Sequence, residues 1–95
     1  MKTAAKIVHR FPPHKLRMYN NDIHDFLYIV ASLIRYCKHE PVQAEQCTLI
    51  AHNKGYCDIK SGDFLEMFEI KNNLEELDIK TDIIEYESNL YKRQK

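Results

Sequence analysis

Residues 18–37 read MYNNDIHDFLYIVASLIRYC, and the change of pattern inside this stretch decides how the rest of the chain is organised. The first half crowds Asn20, Asn21, Asp22, His24 and Asp25 together. In the second half Phe26, Ile29, Val30, Leu33, Ile34 and Cys37 recur at three- and four-residue steps, the signature of an amphipathic helix of about three turns. Short polar side chains at such a junction substitute for backbone partners in turns and caps. Asp25 is the expected N-cap, with Asp22 the alternative. Yet four cap or turn residues, Asn20, Asn21, Asp22 and Asp25, exceed what one helix start requires, which leaves at least one for another task.

Upstream, KLRMY at 15–19 alternates Leu16 and Met18 with polar neighbours, as a half-buried strand does. Residues 1–14 end in FPPH, whose prolines lack N–H donors and favour extended backbone, and they are read as a flexible arm. Downstream, HEPVQAEQCTLIAHNKG restarts a helix with Pro41 in its first turn and stops it at Gly55, a residue suited to a left-handed C-terminus. Val42, Ala44, Cys47, Ile50 and Ala51 are its expected core side. YCDIKSG alternates Cys57 and Ile59 as a second strand, Asp63 caps a third helix carrying Met67, Ile70, Leu74 and Leu77, and DIIEYE at 82–87 is the last strand. The order β-α-α-β-α-β lacks regular βαβ alternation and predicts an α+β domain, three helices packed on one face of a small three-stranded antiparallel sheet. That core runs over 15–87, and 88–95 form a basic tail.

Composition narrows the function classes. Ninety-five residues with 44% hydrophobic and 29% charged residues suit one small folded domain, with room for one site rather than several. Fourteen basic residues cancel fourteen acidic ones, so no global field draws the chain to nucleic acid or to an anionic membrane. Cys37, Cys47 and Cys57 stand ten residues apart with no CxxC pair, and read as buried small hydrophobes in a reducing compartment. The absence of a signal-length or membrane-spanning apolar run points to a cytosolic protein. Cys37 and His39, two apart, make an awkward pair of metal ligands on one helix face, and no nucleophile elbow or Gly-rich loop supports an enzyme.

His52 lies on the stripe of Thr48, one helical turn earlier. A helical histidine is ordinarily a surface or satisfied core residue. If His52 met the polar junction in space, an Asn oxygen, an Asp carboxylate and a neutral imidazole nitrogen would offer three acceptors around one point, a set that fits an ammonium group.

Taken together, residues 18–62 resemble the bacterial Clp protease adaptor family, ClpS. In that family an Asn-Asp-Asp turn precedes the first helix, and the chain aligns with it without a gap from Asn20 to His52. The family pattern A-x-Q…H-x-x-G appears as Ala44, Gln46, His52 and Gly55, and the resemblance extends more loosely over 15–87. It implies an adaptor without enzymatic activity or cofactor, which binds proteins with a bulky hydrophobic first residue and delivers them to the N-terminal domain of a Clp AAA+ ATPase of the ClpA/ClpC type. By the same resemblance Asn20, Asp22 and His52 grip the free α-amino group, Phe26, Ile29, Thr48 and Ala51 line the hydrophobic pocket, and His24 sits beside the second substrate residue. The surface around helix three and the arm then face the ATPase. The chain departs from the family at Asn21 (usually Asp), His24 (usually Thr), and Phe26 and Thr48 (both usually Met). An alternative is a regulator that docks on the ATPase but has lost or altered recognition of substrate N-termini.

Overall fold

Leu16 and Met18 are fully buried, while Lys15, Arg17 and Tyr19 are only partly covered, and this alternation marks His14–Tyr19 as the central strand β1 of a three-stranded sheet. The computed structural model describes residues 14–85. Strand β1 is followed by helix α1 (Phe26–Cys37), helix α2 (Pro41–Lys54), strand β2 (Tyr56–Gly62), helix α3 (Phe64–Glu76) and strand β3 (Thr81–Glu85). This is the α+β order expected from the sequence, and β1 pairs antiparallel with both neighbours. The first strand takes in His14, one residue earlier than read from the alternation, because it pairs with both Gly62 and Glu85. Residues 86 and 87 of the expected last strand, the rest of the arm and the basic tail lie outside the described residues.

On the sheet, Leu16, Met18, Cys57, Ile59 and Thr81 are buried, so one face carries the helices. The other face holds Arg17, whose Nε donates to Asp58 Oδ1 at 2.7 Å and whose guanidinium lies 4.2 Å from the Tyr56 ring centre. Register slips by one residue between Arg17↔Asp58 and Leu16↔Lys60, a bulge that skips Ile59. The Ile59 carbonyl is satisfied by buried His39, whose Nε2 donates to it at 2.6 Å.

Each helix start follows its local chemistry. The Asp25 carboxylate accepts from the Tyr28 N–H, the Asp63 carboxylate accepts from the Glu66 N–H, and Pro41 occupies the first turn of α2. Gly55 ends α2 at φ 101°, in the left-handed region. The buried stripes are Ile29, Val30, Leu33 and Cys37 on α1, Ala44, Cys47, Thr48 and Ala51 on α2, and Met67, Ile70 and Leu74 on α3. Two residues expected in the core of α2 are displaced from it: Val42 is 68% exposed and Ile50 38%. At 3.6 residues per turn they fall about 160° and about 120° around the helix from Ala44, so geometry overrides their apolar character. All three cysteines are free and buried, as read from the sequence. Among the described residues, no helix is long and apolar enough to cross a membrane.

Candidate functional site

The polar junction Asn20–Asp25 is a turn closed by its own side chains. Asn21 Oδ1 accepts from the backbone N–H groups of Ile23 and His24, each at 2.8 Å, an Asx-type closure that holds the next residues in place. Asn21 Nδ2 donates to the Asp78 carbonyl at 2.8 Å. His24 Nε2 donates to the Leu77 carbonyl at 2.6 Å, which assigns the proton to that nitrogen, and its ring packs 4.1 Å from the Tyr28 ring. On the other side the Asn20 N–H donates to the Gly55 carbonyl at 2.9 Å. The turn is therefore tied both to the end of α2 and to the α3–β3 connection.

Helix α2 brings the second half of the site. Thr48 and Ala51 are buried on the stripe that faces the core, and the Thr48 hydroxyl donates to the Ala44 carbonyl at 2.8 Å. That bond satisfies the hydroxyl proton within the helix and removes the main polar cost of placing Thr48 in an apolar wall. His52 follows one turn later, exposed, in the last turn before Gly55. Because the Asn20 backbone is bonded to Gly55, the same contact that ends α2 sets Asn20 beside the helix end that carries His52.

Between the turn, the N-terminus of α1 and this end of α2 lies a cavity of about 300 Å³. All eight residues singled out from the sequence line it: Asn20, Asp22, His24, Phe26, Ile29, Thr48, Ala51 and His52. Met18, Tyr19, Asn21 and Leu49 complete the lining. Leu49 follows Thr48 directly, but lies about 100° further around the helix, off the buried stripe and 47% exposed. Met18 and Tyr19 carried only a strand signal.

The lining divides by chemistry. Ile29, Thr48 and Ala51 are buried and apolar or internally satisfied, whereas Phe26 is 41% exposed. Asn20, Asp22 and His52 are exposed, and among the described residues their side chains make no hydrogen bond. Asp22 supplies the formal negative charge of the rim, since Asp25, the cap of α1, is not part of the cavity lining. His24 is half-buried with Nε2 committed to Leu77, so any contact it makes with a ligand falls to Nδ1 or to the ring. The arrangement offers an apolar hollow for one side chain, bordered by a carboxylate, an amide oxygen and an imidazole whose acceptors are open to a donor.

The family described as ATP-dependent Clp protease adaptor protein ClpS has a sequence model that matches residues 9–82 of the chain. No curated protein matches the chain closely enough to serve as a relative.

Proposed function

The chain belongs to the ClpS family of Clp protease adaptors, and from that premise we propose that it binds the free N-terminus of proteins whose first residue is bulky and hydrophobic, and presents them to a Clp AAA+ ATPase through that enzyme's N-terminal domain. The family is an adaptor of the protease rather than a protease. What supports the finer reading is one observation: acceptor-bearing Asn20, Asp22 and His52 and apolar Ile29 and Ala51 line the same cavity of about 300 Å³.

The energetics require both halves of the ligand. Burial of an aromatic side chain in the hollow contributes on the order of 2–3 kcal/mol by area. An α-ammonium group supplies three N–H donors, which can pair with one carboxylate and two neutral acceptors. Desolvating those acceptors without a donor costs roughly 1–3 kcal/mol each, toward the lower end for groups as exposed as these. A blocked N-terminus therefore loses about 3 kcal/mol, which is on the order of a hundredfold in affinity.

Titration of two fluorescent peptides that differ only in a free or acetylated N-terminal Phe tests the proposal. Binding of the free form, with the acetylated form weaker by about a hundredfold, is the expected result. Equal affinity of the two forms would refute amine recognition, as would silence from both once Leu, Tyr and Trp have also been tried.

A further inference from the structure

The residue between the two recognition groups of the turn is an asparagine that bonds on both of its faces. Asn21 Oδ1 accepts two backbone N–H groups, which any Asp could also do, but its Nδ2 donates to the Asp78 carbonyl at 2.8 Å, which a carboxylate cannot do. The neighbouring tie, His24 Nε2 to the Leu77 carbonyl, reaches the same connection between α3 and β3. Asp78 itself holds a left-handed backbone at φ 63°, and the connection around it is tied to the end of α3 by the Asp78 N–H on the Glu75 carbonyl and the Ile79 N–H on the Leu74 carbonyl.

We propose that Asn21 is a positioning residue of the amine site, acting as a neutral strap that holds Asn20 and Asp22 at the cavity rim by donating to Asp78. The inference rests on the amine recognition proposed above. It has a sign that pure charge reasoning reverses. A second carboxylate in the turn would attract an ammonium, an effect on the order of fivefold for a contact through water. Loss of one hydrogen bond, with a carboxylate left facing a carbonyl oxygen, acts the other way, by roughly three- to tenfold.

The test uses N21D and N21S in the full-length protein, with affinity for the free-amine Phe peptide measured at low and high ionic strength. Amide hydrogen exchange at Ile23 and His24 is followed in parallel. Both substitutions retain an oxygen able to close the turn, and the serine hydroxyl is too short to reach Asp78. The expected result is a loss of about three- to tenfold for N21S at both ionic strengths, and for N21D a loss that the added charge offsets at low ionic strength and that emerges at high ionic strength, where that attraction is screened, with the Ile23 and His24 amides still protected in both. N21D binding as tightly as wild type or tighter at high ionic strength would overturn the strap. A loss in N21D alone, with N21S at wild-type affinity, would assign the effect to the added charge and also overturn it. Loss accompanied by rapid exchange at Ile23 and His24 would mean that the turn has opened, which removes the Asp78 bond as the cause. A wild-type protein that binds neither the free nor the acetylated peptide would remove the amine site and the positioning role with it.

Discussion

Asp22 and Asp25 stand three residues apart in one motif, and the structure gives them unrelated work, so their substitutions separate binding from stability. Asp25 accepts from the Tyr28 N–H at 3.1 Å, and α1 has no acidic residue in its first turn to replace it. Asp25→Ala therefore removes a cap worth about 1 kcal/mol, together with the favourable charge at the helix N-terminus. For a domain of this size that lowers Tm by roughly 4–8 °C. Asp25→Asn, which keeps a capping oxygen, recovers most of the loss. Asp22 is exposed and, among the described residues, bonded to nothing, so Asp22→Asn changes stability by less than about 0.5 kcal/mol. Its effect falls on the ligand: a bond between opposite charges becomes one between the ammonium and a neutral amide oxygen, a loss on the order of 1–1.5 kcal/mol at hydrogen-bond distance in water. That loss weakens binding of a free-amine Phe peptide roughly five- to tenfold and reduces its salt dependence. Thermal or denaturant unfolding and peptide titration of the same preparations read both effects. A fall of several degrees in Tm for Asp22→Asn with unchanged affinity, or loss of binding in Asp25→Ala with unchanged Tm, would refute this division of roles.

Two further outcomes concern groups away from the cavity. Burial pushes the Cys37 thiol up to about 12 and, with the adjacent Cys47 thiol, does the same to Cys57, while Cys47 is raised as well. All three should therefore resist a thiol-specific disulfide reagent in the native protein near pH 8 and react once guanidinium unfolds it, and rapid stoichiometric labelling of the native form would contradict this. The Glu75 carboxylate accepts from the Thr81 N–H at 3.0 Å and from Lys71 Nζ at 3.2 Å, with the Thr81 bond the larger cause holding it below its ordinary 4.5. A depressed carboxylate stabilises the fold above its unfolded value and loses that contribution as pH falls through its folded value, so Glu75→Gln should flatten the decline in stability below about pH 5. An unchanged or steeper acid limb in denaturant titrations at a series of pH values would count against it.

The elements were legible because each rests on near neighbours in the chain. Helical spacing from Phe26 to Cys37, Pro41 at a helix start, Gly55 at a helix end and the cap at Asp63 follow from contacts within about one turn, and all are found where the local chemistry puts them. Legibility failed where a residue's character and its position around the helix disagree, as for Val42 and Ile50, which are apolar and exposed. It also failed at Leu49, exposed at 47% yet part of the cavity, because a concave site draws on residues off the buried stripe.

For the site, the sequence by itself determined the supply of groups: an excess of short polar side chains before α1, one of them needed as a cap, and a histidine late in α2. It placed Asp25 as the cap, whose partner Tyr28 is three residues away, but could not decide how Asn20, Asn21 and Asp22 divide between structure and site, because the partners that tie Asn20 and Asn21 are remote. The Asp78 carbonyl lies 57 residues from Asn21, the Leu77 carbonyl 53 from His24, and Gly55 is carried to Asn20 only by the pairing of β1 with β2. Strand pairing and helix packing are long-range contacts set by the burial of a common core, and they alone bring the turn and the end of α2 together around one cavity.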